Sequence, residues 1–399
     1  MDNSIAKNRN RRLIKPARIA FVCEGDAEKD AFSGSAKSIV DNLRALGHTI
    51  FPINVRPSKP WRLAIAILTF SFNRARWRAR FRYGKIASKA RSLKACRMMV
   101  PLDDQVDIVF QIGATFTPPV ADSHIPYVLY CDWNMALSIR NSANNQSASG
   151  GLTKSEAEDA NTMQHGIYAH AARIFTISER LRESFIEDYR ISAEHVVRAY
   201  AGANLDLMTI PPVRPVDHDL AHNPTILFIG KEFVRKGGDV LLRAFQIVRQ
   251  KVPNARLLII GTTNIDTHDN GVEFVGLLRK EVLHEHKRLI HAFTESDVFC
   301  LPSRLEPLGI VVCEAMFFSL PCVVSNIWAM PEMVIDGETG FTVPVDNAEA
   351  LAEKLIRILT NRQLGRQMGI AARKRAEKLF TWSSSAQIMH EHIQQVAYH

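Results

Sequence analysis

Between positions 42 and 102 the chain has no aspartate or glutamate, although that stretch contains 14 of its 50 Lys and Arg residues. The formal net charge of +9 therefore originates in this one segment, and the remainder of the chain is slightly acidic. A charge confined to one segment indicates a local basic surface and not a property of the whole protein.

Features of exported and membrane-spanning proteins are also missing. The longest apolar run, 63–72, is about half the roughly 20 residues that a membrane-spanning helix requires. The basic N-terminus lacks the apolar core and cleavage site of a signal peptide. The six cysteines have no short paired spacing, so neither a disulfide framework nor a zinc site is predicted. We expect a cytoplasmic protein, or one held peripherally at the cytoplasmic face of a membrane.

Short apolar runs alternate with helix-like segments through both halves of the chain. Such alternation indicates parallel sheets that are covered by helices on both faces. We predict an α/β protein with two Rossmann-like domains facing each other across a cleft. The predicted strands are 18–23, 49–55, 107–112, 126–130, 173–176 and 195–199 in the first half, and 225–229, 255–260, 272–275, 298–301, 322–324 and 341–343 in the second.

A proline-rich stretch separates the two series of strands. Residues 206–222 include Pro211, Pro212 and Pro215 and have almost no apolar periodicity, so we predict a linker there. The predicted N-terminal domain is then 1–205, with the basic segment at 56–100, and the C-terminal domain is 223–380. A final helix is predicted within 381–399.

The clearest candidate site lies at 297–318, where an apolar run ends, a polar loop follows and Gly309 opens a helix-like run. Free N–H groups at a helix N-terminus favour a phosphate. Glu306 and Glu314 lie on either side of the turn, eight positions apart. Carboxylates accept hydrogen bonds from sugar hydroxyls, so the combination predicts a site for a nucleotide-sugar.

A basic loop follows the first strand of the second half. It contains Gly230, Lys231, Arg235 and Lys236, and then two further glycines. Glycines allow a tight turn, and the cations are suited to a diphosphate. A basic turn taken alone is more often a solvated loop. Its occurrence in the same domain as the two glutamates favours the functional interpretation.

These motifs resemble the retaining, nucleotide-sugar-dependent glycosyltransferases of family four, which have the GT-B fold. That family carries a G-R/K-x(4)-K-G element and an E-x(7)-E element. The corresponding residues here are Gly230-Lys231 with Lys236-Gly237, and Glu306 with Glu314. Segments that resemble the family are frequent over 222–380. In the first half they are fewer, at 33–35, 176–179 and 202–204.

The resemblance implies the roles of the individual donor-site residues. Lys231 and Lys236, with Arg235, would hold the donor diphosphate, while Glu314 would bind the ribose and Glu306 the transferred sugar. Lysine at 231, where arginine is common, keeps the charge but loses the bidentate fork. The remaining implied donor-binding residues are Gly34, Gly230, Leu277, Leu278, Leu308, Gly309 and Ile310, of which Leu277 and Leu278 would flank the base and Gly309 and Ile310 would offer backbone N–H groups.

The resemblance also implies that the N-terminal domain binds the acceptor, that the final helix crosses back to that domain, and that neither a cofactor nor a metal is needed beyond the donor substrate. The predicted catalytic residues are Glu306, Lys236 and Asp132. Asp132 follows a strand at a point where many relatives place a polar residue facing the sugar. A lone aspartate in such a place is as often a turn former, and that alternative stays open.

The predicted function is transfer of a hexose from a nucleoside-diphosphate sugar to an acceptor hydroxyl, with retention, in glycan, polysaccharide or glycolipid biosynthesis. The acceptor would be a glycan or a lipid-linked molecule. The alternative is a non-catalytic nucleotide-sugar-binding protein, or a basic adaptor for nucleic acid or membrane. Segment 56–100 itself has three interpretations, namely an anionic membrane surface, a solvated helical face and, least favoured, nucleic-acid binding.

Overall fold

The computed structural model describes residues 15–29, 31–120, 124–141, 150–207, 210, 223–262 and 269–398. The predicted linker, 206–222, lies for the most part outside the described residues. The first domain contains strands β1 (Arg18–Cys23), β2 (Thr49–Asn54), β3 (Ile108–Ile112), β4 (Tyr127–Cys131), β5 (Arg173–Thr176) and β6 (Val196–Arg198), and helices α1 (Ser35–Ala45), α2 (Lys59–Leu68), α3 (Arg74–Tyr83), α4 (Lys85–Met99), α5 (Met135–Arg140), α6 (Lys154–Ala169) and α7 (Glu179–Asp188).

The second domain repeats the architecture with a different sheet order. Its strands are β7 (Thr225–Ile229), β8 (Arg256–Ile260), β9 (Val272–Gly276), β10 (Val298–Leu301), β11 (Cys322–Ser325) and β12 (Gly340–Val343). Its helices are α8 (Gly238–Lys251), α9 (Leu283–Glu295), α10 (Ile310–Phe317), α11 (Met330–Met333), α12 (Ala348–Thr360) and α13 (Arg362–Leu379), and the chain ends with α14 (Trp382–Tyr398).

Both sheets are parallel and six-stranded, with the orders β2-β1-β3-β4-β5-β6 and β12-β11-β10-β7-β8-β9. Every residue of β3, β4, β10 and β11 is buried, because helices cover both faces of each sheet. Burial on both faces requires continuous apolar runs instead of alternating ones, which is why these strands are visible in the sequence. The predicted α/β fold of two Rossmann-like domains is confirmed, and each predicted strand end lies within one residue of the observed one.

The basic segment, for which the sequence indicated an apolar patch followed by a run of cations, forms the three helices α2, α3 and α4. The apolar run 63–72 is interrupted within it, since α2 ends at Leu68 and Asn73 caps α3 by accepting hydrogen bonds from Ala75 N and Arg76 N at 3.0 and 3.1 Å. None of the helices in the described part of the chain is long and apolar enough to span a membrane.

The last helix returns to the first domain. His390 on α14 shares a 2.8 Å hydrogen bond with His48, and Tyr398 donates one of 3.0 Å to the carbonyl of Pro16. Burial lowers the pKa of His48 to about 4, so the two rings meet as neutral imidazoles at neutral pH. At the start of α14, Trp382 Nε1 donates to Asn204 Oδ1 at 2.9 Å.

A second contact between the domains involves a helix N-terminus. The carboxylate of Glu332 on α11 accepts hydrogen bonds from the backbone N–H groups of Glu179 and Arg180 at 2.7 and 2.8 Å. These groups begin α7 of the other domain and have no partner within their own helix. Arg375 on α13 donates to the Met333 carbonyl at 3.0 Å and fixes α11 in turn.

We expect Glu332→Ala to destabilise the folded protein by about 1.5–3 kcal/mol, because it leaves two N–H groups without their charged acceptor. Equilibrium urea unfolding measures the effect. Glu338→Ala is the matched control, since Glu338 is exposed on the loop that follows the same helix. Equal stability of the two variants would show that the carboxylate of Glu332 contributes nothing to domain contact.

Candidate active site

The two sheets direct the carboxyl ends of their strands at a shared cleft of about 2300 Å³. Ligands of open parallel sheets bind at such ends. Residues that directly follow seven different strands line this cleft, namely Glu24, Gly113, Asp132 and Ile177 from the first domain and Gly230, Gly261 and Leu277 from the second.

Lys236 and Glu306 form an ion pair at the centre of the C-terminal wall. Lys236 lies in the loop between β7 and α8, and Glu306 in the loop between β10 and α10. The amine of Lys236 contacts the carboxylate of Glu306, and the two side chains are only 15% and 10% exposed. The sequence assigned the two residues to different groups of a donor. The structure brings them into direct contact.

Two hydrogen bonds also join these loops, one between backbone groups and one from a side chain. Arg304 N donates to the Arg235 carbonyl at 2.9 Å, and Arg235 Nη1 donates to the Leu305 carbonyl at 2.5 Å. Gly237, with φ of 74°, packs so closely on Pro302 that an added Cβ would lie 1.9 Å from the Pro302 carbonyl oxygen. This close approach holds Lys236 within reach of Glu306.

The side chains of Arg304 and Arg235 form hydrogen bonds and ion pairs with other residues of the protein. Arg304 binds Asp239 at 2.7 and 2.8 Å, and this hydrogen bonding holds the pKa of Asp239 below its usual value. Besides its bond to the Leu305 carbonyl, Arg235 forms an ion pair with Glu232 at 2.5 Å. Lys231 is different, because it is exposed in the cleft and makes no ion pair within the described part of the chain.

Glu314 has a partner that the sequence did not reveal. It is buried on α10, 3% exposed, and its carboxylate contacts the amine of Lys280 in the loop after β9. Lys280 also donates to the carbonyl of Asn204 in the first domain at 3.1 Å. A buried carboxylate requires such a cation. The apolar sequence around Glu314 predicts that its carboxylate needs a partner. The sequence does not identify Lys280 as that partner.

The N-terminal end of α10, which we call its mouth, lies between Glu306 and Glu314 in the chain. Gly309 caps the helix with φ of 82°, and α10 begins at Ile310. Leu308 is buried, Leu277 is exposed and Leu278 is half-buried. These three leucines line the cleft together with Gly309 and Ile310. The first N–H groups of α10, which have no partner within the helix, therefore belong to residues that line the same cleft as the two pairs.

The opposite wall comes from the first domain. Gly34 caps α1, and an added Cβ there would lie 3.8 Å from the Asn204 side chain. Burial raises the pKa of the Asp132 carboxyl, and the nearby positive charge of Arg82 opposes that rise. Glu24 binds the buried Arg91 at 2.9 Å, and both line the cleft although the sequence indicated neither.

All thirteen residues that the sequence singled out for a site line this one cleft. The structure thus brings Asp132 and Gly34 of one domain together with the eleven residues of the other, while their individual roles stay predictions. Within the described residues no group of three or more His, Cys, Asp or Glu side chains is arranged to hold a metal ion.

Two parallel Rossmann-like sheets that face each other across a cleft define the class of GT-B proteins. Sucrose-phosphate synthase from Thermosynechococcus elongatus has the same fold, with a TM-score of 0.68 over 95% of this chain and 98% of that chain, at 19% identity. At 19% identity, this similarity shows a shared fold only. The predicted GT-B architecture is therefore confirmed.

The family model for glycosyl transferases group 1 matches residues 217–375. The matched segment is less than half of the chain and includes Lys236, Glu306 and Glu314, so this segment is similar to the group 1 glycosyltransferases. The predicted resemblance is confirmed at this level, and its assignment to the retaining family four stays a prediction.

Two curated relatives show how far the sequence similarity extends. A capsular polysaccharide biosynthesis glycosyltransferase of Staphylococcus aureus is 29% identical over 178 residues, which are 44% of this chain and 46% of the relative. A phosphatidyl-myo-inositol mannosyltransferase of Mycobacterium tuberculosis is 36% identical over 173 residues, which are 41% of this chain and 46% of the relative. The chain thus spans about half the length of the curated relatives it matches.

We expect Gly237→Ala to weaken binding of a nucleoside diphosphate and to destabilise the protein, because the new methyl group would force apart the loops that carry Lys236 and Glu306. Gly337→Ala is a close control, since Gly337 has a similar φ of 77° but nothing within 4 Å of an added Cβ. Both variants carry a conformational cost of about 1–2 kcal/mol.

The collision with Pro302 should add roughly 1–3 kcal/mol for Gly237→Ala alone. Thermal unfolding and isothermal titration with UDP, GDP and ADP measure the two effects. Indistinguishable variants would show that the close packing of the two loops is unimportant for the site.

Proposed function

We propose that this protein is a retaining glycosyltransferase that moves a hexose from a nucleoside-diphosphate sugar to an acceptor hydroxyl, without a metal ion. The contact of Lys236 with Glu306 beside the mouth of α10 carries the proposal. It places a cation for a phosphate and a carboxylate for sugar hydroxyls at one point of a cleft with walls from two domains.

The donor would lie across the C-terminal wall. Lys231, Lys236 and the backbone N–H groups of Gly309 and Ile310 would surround the diphosphate, and Glu314 would accept hydrogen bonds from the ribose hydroxyls. Arg235, which is held by Leu305 and Glu232, would position the loop and add charge at longer range. Leu277 and Leu278 would contact the base.

Without a donor, the ion pair of Lys236 and Glu306 avoids a costly unpaired charge in a largely buried place. On donor binding, Lys236 would turn to the diphosphate and Glu306 to the hydroxyls of the transferred sugar. The pair therefore holds both side chains ready in the cleft, and the donor replaces a contact that already exists.

In the transfer step the acceptor oxygen forms a bond to the anomeric carbon as the bond from that carbon to the phosphate oxygen breaks. The acceptor proton passes to the leaving phosphate, and the nucleoside diphosphate is released. Attack from the same face as the departing phosphate gives retention. Lys236, Lys231 and the helix mouth stabilise the negative charge that develops on the leaving group.

The acceptor, a glycan or a lipid-linked molecule, would lie against the first domain. Asp132 faces this side of the cleft, and burial raises the pKa of its carboxyl. We assign Asp132 a place beside the reacting hydroxyl or sugar. A non-catalytic protein that only binds the nucleotide-sugar is the alternative, and turnover distinguishes the two. Hydrolysis of UDP-, GDP- and ADP-sugars is the first assay.

With a donor so identified, we expect Glu306→Gln and Lys236→Ala each to lower kcat by about 10²–10³-fold, since each removes a group that acts on the transition state. Lys378→Ala, a change at an exposed position of α13, should keep the wild-type rate. Wild-type turnover by Glu306→Gln or Lys236→Ala would contradict the assignment.

A single change also leaves its former partner unpaired, so loss of activity needs a test for loss of fold. The double variant Lys236→Met/Glu306→Gln removes both charges together and should unfold close to the wild type while remaining inactive. An active double variant would exclude both residues from the reaction.

Asp132→Asn should stabilise the protein at neutral pH and lower its activity. Because the pKa of Asp132 is raised in the folded state, ionisation of this carboxyl opposes folding at every pH above its ordinary pKa. Removing the ionisable group removes that cost, and the gain should disappear in acid. Urea unfolding at pH 7 and pH 4 measures it. A destabilised variant at pH 7 would show that the ionised carboxylate makes favourable contacts in the folded protein and contradict this expectation.

A further inference from the structure

We propose that helices α2 and α3 and the turn between them dock on an anionic lipid bilayer, with the mouth of the cleft at the membrane surface. We call this region the α2–α3 surface. It consists of the exposed apolar residues Trp61, Leu63, Ile67, Leu68, Phe70 and Phe72 and the exposed arginines Arg62, Arg74, Arg78 and Arg82. The proposal does not rest on the proposed function, because bilayer binding requires no donor.

The apolar residues are concentrated in a way that scattered surface residues are not. Six of the fifteen large apolar side chains that are exposed in the described chain lie between positions 61 and 72. Phe72 is 97% exposed and Leu68 66%. Phe70 contacts the rings of Phe72 and Trp77 at 5.2 and 5.7 Å, so these three rings form one cluster. A contiguous patch of this kind marks an interaction site.

The arginines of α3 divide into two sets with different surroundings. Arg76 and Arg80 bind Glu156 of α6 at 3.0 and 2.5 Å. Burial acts to raise the pKa of Glu156, but hydrogen bonds from both arginines and Thr153 outweigh it and lower that pKa to about 2. This pair of contacts fixes the rotation of α3 about its axis.

The second set is Arg74, Arg78 and Arg82, which share one face of α3 because they lie four positions apart. All three are exposed, and none makes an ion pair within the described residues. The segment 42–102 offers them no carboxylate of its own. Three cations beside an apolar patch are complementary to the headgroups and the acyl boundary of an anionic bilayer.

The same two helices form part of the cleft wall. Ala66 of α2 and Trp77, Arg78, Phe81 and Arg82 of α3 line the cleft. Trp77 Nε1 donates to the Ala66 carbonyl at 2.8 Å and holds α3 against α2. Docking through these helices would therefore bring the mouth of the cleft to the headgroups, where Arg78 and Arg82 would meet anionic groups.

Other occupants fit the surface less well. A second copy of the chain would place one set of unpaired arginines opposite another, which is repulsive. Single-stranded nucleic acid stacks on aromatic rings, but it would leave the aliphatic side chains of Leu63, Ile67 and Leu68 exposed to water. A bilayer accommodates both the aliphatic and the aromatic residues and also neutralises the arginines.

The test is sedimentation of the full chain with vesicles of phosphatidylcholine alone and of an equimolar mixture with phosphatidylglycerol. We expect binding to the mixed vesicles that falls in about 1 M salt, where the screening length is about 3 Å. Arg62→Gln/Arg74→Gln should weaken partitioning by about fivefold for each charge removed. Arg362→Gln/Arg366→Gln, which removes two arginines from α13, should leave it unchanged.

The apolar part of the surface is tested by Leu68→Ser/Phe72→Ser, which should weaken vesicle binding at least tenfold, roughly the effect of exposing one large side chain. Ile370→Ser, at an exposed apolar position of α13, is its control. Thermal unfolding of every variant should match the wild type, since all these side chains are exposed. UDP, GDP and ADP titrations then report the donor site independently of vesicle binding.

Three results would overturn the proposal. The first is absence of binding to the mixed vesicles, or binding that both double variants of the α2–α3 surface retain in full. The second is displacement of the protein from vesicles by single-stranded RNA at low concentration, which would make the surface a nucleic-acid site. The third is a dimer in analytical ultracentrifugation that Leu68→Ser/Phe72→Ser dissociates, which would make it a subunit interface.

Discussion

The candidate site depends on one constraint, the close packing of the loop after β7 on the loop after β10. Gly237 has room for no side chain against the carbonyl of Pro302, and a backbone hydrogen bond from Arg304 N to the Arg235 carbonyl joins the two loops. This contact brings Lys236 to Glu306 across 70 residues of sequence. An ammonium group suited to phosphate and a carboxylate suited to hydroxyls therefore occupy one largely buried point, each neutralising the other.

The second ion pair connects the C-terminal wall of the cleft with the first domain. Lys280 contacts the carboxylate of Glu314 and also the carbonyl of Asn204, while the side chain of Asn204 accepts from Trp382 at the start of α14. A ligand that recruited Glu314 would therefore disturb a contact between the domains. This arrangement gives a physical route from ligand binding at Glu314 to relative movement of the two walls, of the kind that closes clefts over substrates in two-domain enzymes.

The proposed donor site and the proposed membrane-docking surface lie on opposite walls of the same cleft. The wall from the second domain holds the predicted donor groups and lies within the part that matches the glycosyl transferases group 1. The wall from the first domain includes α3, whose arginines are partly committed to Glu156 and partly free to meet an anionic surface.

Local patterns by themselves determined the strands and the two motifs that carry Lys236, Glu306 and Glu314, while candidates such as Gly34, Leu277 and Asp132 depended on the family resemblance. Strands buried on both faces must be continuous apolar runs, and glycines with lysines or glutamates at set spacings mark phosphate and sugar sites, so neither signal requires knowledge of distant residues. Tertiary structure alone decided the partners. It selected Lys236 for Glu306, Lys280 for Glu314 and Glu156 for Arg76 and Arg80, contacts across 34 to 80 residues. Such contacts are invisible to local periodicity because they depend on how sheets and helices pack in space.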